Sequence, residues 1–324
     1  GTAGFELRTV HEPFGPGSNV IALGAQAAEG LTRGTDRLLQ LIGEHGRQGE
    51  LVLPRLLELD LKRPGARAPV PQKLSESEIA LGKKFHDDVY ARTGTERSAA
   101  HRVVRDAMRF HRTADDGYLA LYRYGIMSHI NYYRENGYIN TEDLGRYDRD
   151  FRDSWTWKFI VTWDLLEEHP SWTDDERLLI TNHLLRCLLE CNVYQHWTSK
   201  ASIESWRTFD SITHNHHTWP GLANLFGGWY FQRHYQHPMA DDWLTIARGM
   251  FRGCRHSSKP WEDSAGYQWI PLRHVLTYSF ASGDTTFIDE GHADLAGQTA
   301  LMCIDSLGHQ PAFGDYSSFT GSSA

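Results

Sequence analysis

From Ser75 onward the apolar residues recur every three or four positions, and this period restricts the fold more than any other feature of the 324-residue chain. That spacing lines one side of a helix, whereas a half-buried strand requires alternation. Ser75 and Glu78 have the spacing of a capping box ahead of Ile79, Phe85 and Val89. Further helices are expected around 99–111, through Tyr118, Leu121, Tyr122 and Ile126, and over 141–168, where Phe151, Trp155, Phe159, Ile160, Trp163 and Leu166 precede the stop at Pro170. Thr173 with Glu176 opens the next, and the spans 219–236, 239–256, 266–281 and 291–307 complete the series. Roughly nine or ten helices with short connections predict paired antiparallel helices. No repeat of fixed period is visible, which favours an incomplete (α/α) toroid over a regular solenoid.

The N-terminal part reads differently. Ser18–Leu23 predicts a strand entering a helix with Leu31, Leu38, Leu39, Leu41 and Ile42 on its buried side. This gives a short β-α segment over 1–62, without visible strand partners, and almost no alternating pattern is read after residue 50. Gly15-Pro16-Gly17 precedes the strand, whereas a phosphate-cradling loop would follow one, so a dinucleotide fold is not indicated. The prolines at 64, 69 and 71 predict a linker over 63–74, since each fixes φ and removes a donor. The α/α toroid domain is expected over 75–324.

Composition removes some functions. A net charge of -8 argues against a nucleic-acid partner, because such proteins present a basic stripe to phosphate. No apolar run is long enough to cross a bilayer. Cys187 and Cys191 stand four apart in a helical pattern, where thiols pack as small apolar groups. The 11 Trp, 14 Tyr and 14 Phe suit stacking on sugar rings but are more often core, so they do not decide the matter alone.

Chemistry concentrates in two places. Thr213-His214-Asn215-His216-His217-Thr218-Trp219 packs three imidazoles and a carboxamide just before a helix opening at Pro220. A helix N-terminus there would favour an anion such as a carboxylate. The structural alternative is that these side chains merely cap the helix. Metal binding ranks lower, because His-x-His-His lacks the i, i+4 spacing and nearby carboxylate of helical metal sites, and no metal or cofactor is assigned. The second cluster runs from Lys259 through Glu262, Asp263, Tyr267 and Trp269 to Arg273, His274 and Tyr278. His274 and Tyr278 share a helix face with Arg273 beside them, although a surface Arg and a packed Tyr are the commoner fate.

Asn215-His216-His217-Thr218-Trp219 resembles the Asn-His-Gly-Thr-Trp type of motif in the alginate lyase and heparinase II/III group of polysaccharide lyases. Asp263 followed by Tyr278-Ser279, and the ending Pro311-Ala312-Phe313-Gly314-Asp315, are similar to later segments of that group in the same order. His217 and Ser264 stand where the group often has Gly, and His274 where alginate lyases place Arg. The resemblance implies β-elimination at a uronic acid, with an acidic polysaccharide or oligosaccharide as substrate; the β-sandwich that follows the helical domain in that group is expected to be missing from the sequence, which ends at Ala324. Asn215 and His216 would neutralise the uronate carboxylate, supported by Arg273 or His274. Tyr278 would protonate the departing oxygen. The base would be Tyr278, whose ordinary pKa of about 10 must then be depressed, or else His216. His217, Trp219, Tyr267, Gln195, Arg207 and Trp269 are the candidate substrate-binding residues. A polymer substrate implies a secreted or periplasmic setting.

Two other readings remain at this level. A glycoside hydrolase on the same toroid would use Glu262 or Asp263 with a distant partner such as Glu204 or Asp210. A non-catalytic helical domain would bind glycan without turning it over.

Overall fold

A computed structural model describes residues 4–10, 19–47, 50–51, 53, 56–60, 73–91, 96–136, 153–194, 202–210, 215–255 and 269–302. The fold is mainly helical, preceded by a small sheet. Contacts divide the chain into two compact units, one of residues 1–151 with 158–186, the other of 152–157 with 187–324. The N-terminal segment therefore shares a unit with the helices that follow it, and most of the linker read at 63–74 lies outside the described residues.

In the first unit β1 (Phe5–Val10) is the central strand of an antiparallel sheet, with β2 (Val20–Ala25) on one side. Helix α1 (Ala28–His45) leads to a short ladder of β3 (Gly46–Arg47) and β4 (Glu50–Leu51), and β5 (Leu57–Asp60) returns to the other edge of β1. The pairs Leu7–Leu23 and Leu7–Glu58 set the register. Phe5, Leu7 and Thr9 alternate inward, as a half-buried strand requires, and Phe5, Leu7, Leu41 and Leu56 form a core beneath α1. Arg37 donates to both carboxylate oxygens of Glu58 at 2.7 and 2.8 Å, tying α1 to β5. The expectation of a lone strand is thus corrected. The strand has a partner in β1, whose other edge binds β5, and the missed strands β1, β3, β4 and β5 are only two to six residues long, too short for a strong alternation signal.

Helices α2 (Glu76–Tyr90), α3 (Glu96–Thr113) and α4 (Asp116–Asn136) follow. The Ser75–Glu78 capping box is present as expected, with Glu78 N donating to Ser75 Oγ at 3.3 Å and Ser75 N to Glu78 Oε2 at 2.8 Å. Asp115 holds the next junction, accepting from Gly117 N and Leu74 N, both at 2.9 Å. Gly125 allows α4 to approach, since a Cβ there would lie 2.7 Å from both His86 Cε1 and Val103 Cγ2. Helices α5 (Asp153–Leu166) and α6 (Asp174–Tyr194) are split between the two units. The Thr173–Glu176 cap opens α6, with Glu176 N donating to Thr173 Oγ1 at 3.2 Å. Trp163 Nε1 donates to Thr181 Oγ1 at 3.0 Å between these two helices.

His86 carries a pH prediction. It is fully buried, and neither ring nitrogen has a hydrogen-bond partner among the described residues. Burial, reinforced by Arg102, pushes its pKa down to about 4. An unfolded His titrates near 6.5, so between these values the unfolded chain binds the extra proton and stability falls with falling pH. The loss is on the order of 3 kcal/mol at most. His111 and His169 are shifted down by burial too, whereas burial pushes Asp106 up and opposes the trend. Unfolding free energy should therefore fall more steeply from pH 6.5 to 4 in the wild type than in His86→Leu. Parallel profiles would refute this account of His86.

The second unit contains α7 (Ile203–Thr208), α8 (Asn215–Tyr235), α9 (Ala240–Cys254), α10 (Trp269–Ser282), α11 (Thr286–Asp289) and α12 (His292–Met302). Helices α8 and α9 run antiparallel. A Cβ on Gly221 would meet Phe251 and Met250, and one on Gly228 would meet Leu244 and Ala240. Leu222, Leu225, Leu244, Phe251, Leu272, Val275 and Tyr278 close the core between α8, α9 and α10. No helix among the described residues is long and apolar enough to cross a membrane.

Candidate functional site

Helix α8 begins at Asn215, earlier than the sequence pattern suggested, so Asn215, His216 and His217 occupy its first turn instead of preceding it. Pro220 consequently falls inside the helix. It supplies no N–H to the carbonyl four residues back, which weakens that first turn. Asn224 Nδ2 donates to the Pro220 carbonyl at 2.8 Å one turn further on. The side chains of Asn215, His216 and His217 lie outside the described residues, as do Gln195, Glu262, Asp263 and Tyr267.

Thr218 is the point at which the two sequence clusters meet. Its Oγ1 shares a buried hydrogen bond of 2.8 Å with His274 Nδ1 on α10. Trp219 and Trp157 flank the imidazole, with ring centroids 6.0 and 6.4 Å from it. Trp157 in turn stacks on Phe226 of α8 at 5.6 Å. Thr218 and the two indoles thus help to fix the His274 ring. Replacing Thr218 with Val preserves the shape and removes this polar partner, at a cost of about 1–3 kcal/mol. Urea unfolding should register that loss for Thr218→Val and its recovery in Thr218→Ser; equal stability of all three would remove the bond from the account.

One turn along α10, Tyr278 stacks on Phe251 of α9, with centroids 4.4 Å apart and planes 19° apart. Burial pushes its phenol pKa up and the nearby Asp284 carboxylate adds to this, while a hydrogen bond with Ser282, then Arg255 and Arg248, oppose it. This direction is opposite to what a Tyr base requires, so the phenol is suited to giving up a proton only to a strongly basic acceptor.

Other expected residues are dispersed. Arg273 is exposed, because a step of one residue turns a helix by about 100° and carries it away from the His274 side. Trp269 is half-buried and packs against the core. Arg207 is exposed on α7, paired to Glu204 at 3.1 Å. Among the described residues no group of three or more His, Cys, Asp or Glu is arranged to hold a metal ion.

The sequence reading missed a cavity of about 520 Å³ in this unit. Its lining includes Leu225, Trp229 and Leu244, the α9 arginines Arg248 and Arg252, Arg255 just beyond that helix, and Tyr278, Ser282 and Asp284. The arginines follow at i, i+4 and i+7, which puts them on one side of α9. That spacing in an acidic chain was the available signal. Arg255 Nη1 pairs with Asp284 Oδ2 at 2.6 Å, and Arg252 Nη1 donates to the Phe209 carbonyl at 2.8 Å. Partial burial opposes ionisation of Asp284, but hydrogen bonds from Thr286 and Arg255 hold its carboxyl below the usual range.

No protein-family model matches this chain, and neither does any curated protein or solved structure.

Proposed function

We propose that this protein is a polysaccharide lyase that cleaves a uronic-acid-containing polysaccharide by β-elimination on an (α/α) toroid. The observation that carries the proposal is the Thr218–His274 hydrogen bond. It joins the helix that begins Asn215-His216-His217 to the helix bearing Tyr278, which supports reading the two helices as parts of one site.

In this mechanism a base removes the proton at C5 of the uronate, the C4–O bond breaks, a C4=C5 double bond forms, and the departing oxygen takes a proton. C5–H is barely acidic while its neighbouring carboxylate holds full charge. Donors that strengthen as charge moves onto that carboxylate lower the barrier. Asn215 takes this role at the head of α8, where the helix dipole favours an anion. Tyr278 is the proton donor, in keeping with its raised pKa. His216 is then the better base, since imidazole accepts protons near neutrality without large tuning. His274 supports the carboxylate site from the α10 side. A secreted or periplasmic setting accompanies a polymer substrate of this kind.

The test is ultraviolet absorbance of reaction mixtures across a panel of uronate polysaccharides, which detects the conjugated double bond formed by elimination. A rise with one polymer identifies the substrate. Reducing ends that accumulate without absorbance would replace the lyase with a hydrolase, and saturable binding with neither product would leave a glycan-binding domain.

A further inference from the structure

We propose that the arginine-lined cavity of the second unit is a binding subsite for an acidic sugar, with Arg248 and Arg252 holding its carboxylate or sulfate and Trp229 meeting its ring. Three guanidiniums face one carboxylate in the lining, although the whole chain carries a net charge of -8. The cavity is therefore a local positive site in an acidic protein, and low-dielectric walls strengthen such a field. Asp284 is engaged by Arg255, so the charge left for a ligand belongs to Arg252 and Arg248. Arg252 is braced by the Phe209 carbonyl, which neutralises none of its charge. Arg248 is exposed and has no hydrogen bond or ion pair among the described residues.

The remaining lining narrows the ligand class. Trp229 is half-buried and held edge-on by Phe226 at 5.9 Å, an apolar surface fixed in orientation. An anion alone needs no such surface, whereas the C–H face of a sugar ring matches it. Tyr278 lies in the same lining, and the Ser282 hydroxyl beside it donates to the Tyr278 carbonyl at 2.7 Å. The arginine row extends about 10 Å along the helix, and a volume of about 520 Å³ is in the range of small-molecule sites. A compact sugar acid fits these features better than a long apolar ligand. Tyr278 belongs to the same lining, so a sugar bound here lies beside the proposed proton donor. That last step rests on the lyase reading; the binding of an anionic sugar does not.

The experiment is calorimetric titration of the full chain with methyl glucuronide, a sulfated methyl glucoside, neutral methyl glucoside and inorganic sulfate, each against wild type and Arg248→Gln. Arg248 is exposed, so its substitution leaves the core untouched, and circular dichroism checks the fold. The expected result is binding of at least one charged sugar, negligible binding of the neutral one, and at least a tenfold loss in Arg248→Gln. The stronger of the two charged sugars identifies the anionic group. Equal affinity for charged and neutral sugars, or an Arg248→Gln variant that binds like wild type, overturns the proposal, and inorganic sulfate binding as tightly as either sugar acid overturns its sugar part. Binding without elimination on any polymer would sink the lyase reading alone, and elimination with no charged sugar bound would sink the subsite alone.

Discussion

Under the lyase reading proposed above, Tyr278→Phe is expected to lower the elimination rate by about 10²–10⁴-fold, the usual worth of a positioned acid or base. The substitution removes one oxygen and keeps the ring that stacks on Phe251 at 4.4 Å. Stability should therefore change little, which separates a chemical loss from an unfolded protein. The raised phenol pKa means that Tyr278 keeps its proton through the neutral range, so the wild-type rate should show no basic-side rise attributable to phenolate formation. Both outcomes are read from initial rates of absorbance increase on the polymer that wild type cleaves. A variant with more than a tenth of wild-type activity would remove Tyr278 from the proton-donor role. Tyr267, which lies outside the described residues, would then be the next candidate for the role.

Phe251→Ala should strongly destabilise the second unit, costing about 3–5 kcal/mol. Phe251 is fully buried, stacks on Tyr278, and closes against Gly221, where a Cβ would lie 3.0 Å from its ring. Removing the ring opens a cavity between α8, α9 and α10 at the place where the candidate site is assembled. Domains are commonly stable by only 5–15 kcal/mol in total, so a loss of this size is a large fraction. Activity should fall as well, because Tyr278 loses the surface that holds its ring. Phe251→Leu keeps most of the volume and should cost less. Chemical denaturation decides the matter: a Phe251→Ala loss below about 1 kcal/mol would contradict this packing.

The contrast between these two residues shows where sequence reading stops. Tyr278 was singled out because it stands four after His274 on a helical pattern, and that spacing is local information. Phe251 was one apolar residue among many in its helix, and only the approach of α8 and α10 makes it a hub. The arginine row has the same character. Its i, i+4, i+7 spacing is written in the chain, but whether that face meets solvent or a cavity depends on how α9 is rotated. Arg273 shows the reverse. Its adjacency to His274 in sequence suggested a shared role, and a single helical step placed it on the exposed side.

The sequence by itself determined what is decided within a few residues: the helical period after Ser75, the caps at Ser75–Glu78 and Thr173–Glu176, and the burial of Cys187 and Cys191 as small apolar groups. Capping hydrogen bonds and periodic burial act over three or four positions, so their causes lie side by side in the chain. Only the tertiary structure decided the partnership of β1 with β5, the start of α8 at Asn215, the bond from Thr218 to His274 across 56 positions, and the cavity beside Tyr278. Those depend on which surfaces meet when helices and strands pack, and a pattern that marks a face as apolar does not say which other face will cover it.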